Sequence, residues 1–137
     1  MMLTATDRWV ITELVTRADA MATRRDAEGY AALFTDGAVL DGTEGVHQGR
    51  EQLRADVGPI WASEGDVSIH LTLNVEVYEI EGRDDSATAS SVLVILAEKG
   101  ATTIRSVSLI EQNVVRVGES WRISRRTVHP VTRATNS

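Results

Sequence analysis

The sequence predicts an α+β domain in which N-terminal helices pack on a curved antiparallel sheet. Two observations carry this reading. As far as Trp61, apolar residues recur at three- and four-residue spacing, the period of a helix face. After Asp66 they alternate with polar residues, the period of a strand, and short Gly-bearing turns separate the runs. Helices first and a strand meander after is an α+β layout, not the alternating βαβ of a parallel sheet.

The first helix covers Thr4 to Ala22, with Trp9, Ile11, Leu14, Val15, Ala18 and Ala22 as its apolar side. Thr4 with Asp7 is a variant capping box, hydroxyl and carboxylate each accepting from the other's backbone N–H. Arg24 and Arg25 follow at the end where cations suit the helix dipole. Asp26 can cap a second, short helix carrying Tyr30, Ala31, Leu33 and Phe34. Ala38 to Asp41 is short and β-prone, and Gly42, Gly45 and Gly49 punctuate the chain between it and the next helix. That third helix runs from Arg50 towards Trp61 with Leu53, Val57, Ile60 and Trp61 on one side. Gly58-Pro59 is expected to bend or break it.

In the first long strand, Ile69, Leu71, Leu73, Val75 and Val77 share one face, and Ser68, His70, Thr72, Asn74 and Glu76 the other. Gly82 to Asp85 is a turn, Ala87 to Leu96 a second strand, and Lys99-Gly100 the next turn. Thr102 to Val117 is a third strand and Trp121 to Val128 a fourth. Strands joined by such short turns pair antiparallel. Residues 1–131 read as one domain and 132–137 as a loose tail.

The chain has 137 residues, enough to bury a core without disulfides or metal. It has no cysteine, which excludes a disulfide framework, a thiolate metal site and a cysteine nucleophile. A net charge of −6 argues against a nucleic-acid partner. The N-terminus lacks a basic start followed by an apolar signal core, and no apolar run approaches the roughly 18 residues of a membrane span. The expectation is a soluble cytoplasmic protein. There is no phosphate-binding glycine loop, no His-Glu-x-x-His and no Gly-x-Ser-x-Gly. His47, His70 and His129 are too far apart in sequence to form a local metal pair. No metal and no cofactor are expected, so chemistry must come from residues converging in a pocket.

Four segments, in order, resemble the SnoaL-like branch of the nuclear-transport-factor-2-like superfamily. They are Arg24-Arg25-Asp26-Ala27-Glu28-Gly29-Tyr30-Ala31-Ala32-Leu33-Phe34-Thr35-Asp36-Gly37-Ala38-Val39, Val46-His47-Gln48-Gly49-Arg50-Glu51-Gln52-Leu53, Ile69-His70-Leu71-Thr72-Leu73-Asn74-Val75, and Trp121-Arg122-Ile123-Ser124-Arg125-Arg126-Thr127-Val128. The resemblance implies a cone-shaped α+β barrel with a ligand pocket between helices and sheet. It is specific for the fold and not for an activity, since such proteins include cyclases, ketosteroid isomerases, dehydratases, a dehydrochlorinase and plain binders.

His70 matches the catalytic histidine of the resembling dehydratase and dehydrochlorinase, and an imidazole suits a general acid/base near neutrality. The aspartate that serves this histidine falls at Thr23, which cannot stabilise an imidazolium as a carboxylate does. Asp19, one helical turn earlier on the same side, is the expected substitute. The isomerase positions hold Ala18 and Gly42, and the second dehydratase histidine falls at Ser91. Arg126 matches a basic pocket residue of the dehydrochlorinase. With Tyr30 and Trp61 as apolar wall, the expected site is catalytic His70 and Asp19, with Thr23, Tyr30, Trp61, Ser91 and Arg126 binding substrate. The expected ligand is a small hydrophobic molecule. A cofactor-free lyase, isomerase or cyclase is one reading and a non-catalytic binding module the other. If the polar strand face lines the pocket, the apolar face needs cover, and a homodimer through the sheet is expected.

Overall fold

The chain runs α1 (Ala5–Thr23), α2 (Ala27–Ala31), β1 (Phe34–Gly42), β2 (Gly45–Gln48), α3 (Arg50–Ala62), β3 (Ser68–Ile80), β4 (Arg83–Glu98), β5 (Thr102–Val117) and β6 (Ser120–Thr132). The structure, a computed structural model, describes residues 2–98 and 100–132. Thr132 ends β6; the rest of the expected tail, and Lys99 of an expected turn, lie outside the described residues.

α1 starts as the capping box dictates. Thr4 Oγ1 accepts from the Asp7 N–H at 3.0 Å and Asp7 Oδ2 from the Thr4 N–H at 3.0 Å. Ile11, Leu14, Val15, Ala18, Asp19, Met21 and Ala22 are its buried side, while Trp9 is exposed, contrary to the stripe expected of it. Asp26 caps α2 by accepting from the Gly29 N–H at 2.8 Å. Phe34, expected to end that helix, opens β1 and is fully buried. α3 runs on to Ala62 with Pro59 inside it, so the expected break is absent. Leu53, Val57 and Trp61 hold its face in the core, and the packing outweighs the one lost backbone bond.

The six strands form one open sheet in the order β2-β1-β6-β5-β4-β3. All neighbours are antiparallel except β1 and β6, which run parallel. Local alternation could not reveal that pairing, because the whole intervening chain separates its partners. β6 extends past the expected end and takes in Pro130. β1 pairs with β6 only as far as Asp41↔Thr127, so the missing N–H of Pro130 faces no strand on that side.

β3 does not keep one apolar face along its length. Asn74 sits at φ +55 where the register to β4 shifts between Leu73 and Glu76. This bulge inserts one residue and reverses the alternation. Ile69, Leu71 and Leu73 therefore face outward, while Val75 and Val77 turn in and pack against the core. Glu76 is outward, not on the face of His70. The face expected to be continuous is thus split between the core and the outer surface.

Candidate active site

α1 ends at the site. Its last carbonyls are closed by a Schellman pattern, Asp26 N–H to Met21 C=O at 2.9 Å and Arg25 N–H to Ala22 C=O at 3.1 Å. Arg25 takes the left-handed conformation at φ +59 that glycine usually fills here. Its guanidinium reaches across to Gly65 C=O at 2.9 Å and Ser68 Oγ at 3.0 Å. Ser68 in turn donates to Glu64 Oε1 at 2.8 Å, and His70 Nε2 lies 2.8 Å from the same oxygen. The carboxylate accepts, so Nε2 carries the hydrogen, and in the neutral ring Nδ1 keeps its lone pair. The His70 and Glu64 side chains are only 5% and 8% exposed. Burial pulls the Glu64 carboxyl up, but the hydrogen bond and charge of His70, then Ser68 and Arg25, more than offset it. Glu64 is held below its ordinary value.

The expected Asp19–His70 dyad is not formed. Asp19 is buried on α1, but its carboxylate accepts from Arg126 Nη2 at 2.6 Å and from the Thr72 hydroxyl. β6 delivers Arg126 to the middle of the sheet, where a second contact goes to Gln112 Oε1 at 3.4 Å. Burial disfavours the guanidinium charge, but the charge of Asp19, then Tyr30 and the Asp19 hydrogen bond, together outweigh it, and Arg126 is pushed above its ordinary value. Nearby Tyr30 is raised chiefly by burial, with Arg126 opposing and Asp19 adding, so it stays a phenol. Glu64 is the carboxylate serving His70, and sequence reasoning missed it. The signal was an acid six residues before the histidine, within Ser63-Glu64-Gly65-Asp66, which reads as a solvated turn.

A cavity of about 760 Å³ lies between helices and sheet. His70, Asp19, Tyr30, Trp61 and Arg126 line it, with Glu64 beside His70. Tyr30 meets Trp61 edge-on, with ring centroids 5.3 Å apart. Thr23 and Ser91, both expected to bind substrate, are not on its wall. The Thr23 hydroxyl instead accepts from the His70 backbone N–H at 2.8 Å, anchoring β3 to the end of α1. Ser91 is buried with its hydroxyl unpartnered among the described residues. At the far side of the cavity His47 Nδ1 lies 2.7 Å from Asp56 Oδ2. Among the described residues, no group of three or more acids and histidines is placed to hold a metal ion. No described helix is long and apolar enough to cross a membrane.

Comparison with known proteins bears on the family and the fold. The profile described as the SnoaL-like domain matches residues 3–127. No curated protein matches. Among solved structures, a protein of unknown function with a cystatin-like fold from Nostoc punctiforme is 25% identical, with TM-score 0.85 over 95% of each chain. An NTF2-like protein with the same fold from Novosphingobium aromaticivorans is 23% identical, with TM-score 0.80 over 96% of this chain and 85% of that one. LinA superposes with TM-score 0.80 at 14% identity, over 90% of this chain and 85% of its own.

Proposed function

The chain belongs to the SnoaL-like domain family, and on that premise we propose that its cavity holds a small, mainly apolar molecule on which His70, backed by Glu64, acts as general acid/base. The reaction class is a cofactor-independent lyase or isomerase. The observation that carries this is the pairing of a cavity-lining histidine with a buried carboxylate through Nε2. Nδ1 then takes a proton from a carbon of the substrate, and the electron pair left behind either expels a leaving group or shifts a double bond. Glu64 offsets the imidazolium charge that forms. Tyr30, kept a phenol, supplies a hydrogen-bond donor on the wall.

Ring opening of 5-nitrobenzisoxazole tests this without knowledge of the natural substrate, because it needs only a base against an apolar surface. The proton leaves carbon, the N–O bond breaks, and a nitrile phenolate forms. The wild-type protein should accelerate it by about 10²-fold or more over imidazole in solution, and His70→Ala should remove that acceleration. A wild-type rate no better than imidazole overturns the catalytic reading.

A second reading, a non-catalytic binding module, is favoured by the fate of two other candidates. Asp19 is held by Arg126, and Ser91, at the second dehydratase position, is away from the cavity. An apolar ligand carried unchanged through purification and seen by native mass spectrometry, with no ring opening, supports this reading.

We also propose a homodimer through the outer face of the sheet. Ile69, Leu71 and Leu73 stand exposed on β3, with Ile104 and Leu109 exposed on β5. Val92, Val94 and Leu96 of β4 pair with both strands and join them into one apolar patch. A patch of this kind is rarely left in water.

A further inference from the structure

β2 and β3 are the two edge strands of the sheet, and each puts one histidine on the wall of the same cavity, His47 and His70. Both are buttressed from one helix and its exit. Asp56 in α3 meets His47 Nδ1, and Glu64 just beyond α3 meets His70 Nε2. At 1.5 Å per residue the two carboxylates stand roughly 12 Å apart along the helix. His47 is level with Leu40 in the β1–β2 pairing, and Leu40 with Arg126 in the β1–β6 pairing, and all three line the cavity.

The orientation of His47 is fixed from behind. Gln52 Nε2 donates to both Asp56 oxygens, at 2.8 and 2.9 Å. These bonds, then that of His47, hold the Asp56 carboxyl below its ordinary value. The carboxylate accepts, so His47 Nδ1 carries the hydrogen and Nε2 of the neutral ring presents a lone pair. That Nε2 is buried and has no partner among the described residues. A buried acceptor favours finding a donor, and a ring on a cavity wall can have that donor supplied by a ligand. A lone pair calls for a donor, and the Tyr30–Trp61 edge contact offers a wall for a flat ring.

We propose that His47, held by Asp56, is a ligand anchor that accepts a hydrogen bond from the hydroxyl of a flat aromatic alcohol of the phenol class. It works at the edge of the cavity away from His70. The anchor rests on the reading of this cavity as a ligand site, but not on catalysis by His70. It orients the ligand with its hydroxyl at β2 and the remainder towards β3.

The test compares 2-naphthol with naphthalene, which differ by that hydroxyl. Binding is followed by fluorescence under mildly alkaline conditions, where naphthol is still neutral. Wild-type protein should prefer 2-naphthol by about tenfold, the value of one hydrogen bond near 1.4 kcal/mol. His47→Leu should abolish the preference while keeping naphthalene affinity within about twofold. Asp56→Asn, a change at a partly exposed residue, should weaken the preference without unfolding the protein, as thermal melts would verify. Equal wild-type affinity for the two probes, or a preference that survives His47→Leu, would each overturn the anchor. If neither probe binds wild-type protein, the cavity reading fails as well. A preserved preference without ring opening sinks only the catalytic reading.

Discussion

Two buried carboxylates reach the same cavity and do opposite things there. Asp19 meets a permanent cation; its side chain and that of Arg126 are 2% and 4% exposed, and each cancels the other's charge. Glu64 meets a histidine, a side chain able to take up and release a proton. The first pair is a closed ion pair, shut away from solvent. The second can accept a proton on the histidine and hold the resulting charge. Lining a cavity is therefore no guide to chemistry; what decides is whether the partner can titrate.

The sharpest way to break this contrast is to remove one charge of the fixed pair. Arg126→Met strands Asp19 as a lone buried anion and should cost about 3–5 kcal/mol in urea denaturation. Asp19→Leu combined with Arg126→Met should recover most of that loss, because no charge is then left unpaired. Equal costs for the single and double variants would show that the pair does not act as a unit. Asp19→Asn probes the same pair from its other side. With Arg126 as partner, that change leaves a buried cation uncompensated, so it should destabilise.

Glu64 should show a smaller and pH-dependent effect. Its folded value lies below the ordinary 4.5, so its contribution to stability is fully present above that pH and lost as pH falls through the depressed folded value. Glu64→Gln should be less stable than wild type near neutrality, and the two should converge in acid. Parallel stability curves across that range would contradict the assignment. Next in size, Thr23→Val removes the acceptor for the His70 backbone N–H and should cost about 1–2 kcal/mol. Naphthalene affinity should be unchanged, since Thr23 is off the cavity wall. Smallest for the protomer is Leu71→Lys on the outer face. It should leave the melting temperature of the folded protomer nearly unaltered while sedimentation shows dimer turned to monomer. A wild-type monomer at micromolar concentration would remove the basis for that expectation.

The legible parts of the molecule were those written in local spacing. The Thr4–Asp7 capping box, the buried side of α1 from Ile11 to Ala22, and the long strand from Thr102 to Val117 come directly from periodicity and caps. The bulge at Asn74 was not legible, because a residue inserted by φ > 0 leaves the apolar–polar alternation intact in sequence while reversing it in space. The parallel β1–β6 contact was hidden because its partners are distant along the chain. The site was half legible for the same reason. His70, Tyr30, Trp61, Arg126 and Asp19 do converge on one cavity. Which carboxylate meets which cation depended on how α1 and the α3 exit settle against β3 and β6, and spacing along one helix could not decide that.

The claim that Glu64, and not Asp19, serves the cavity histidine is tested most directly by the 5-nitrobenzisoxazole rate of Glu64→Gln. Loss of a hydrogen bond to a charged group is worth about 1.5–3 kcal/mol, so kcat/KM should fall by about 10- to 100-fold in protein that remains folded. An unchanged kcat/KM in folded Glu64→Gln would contradict the account.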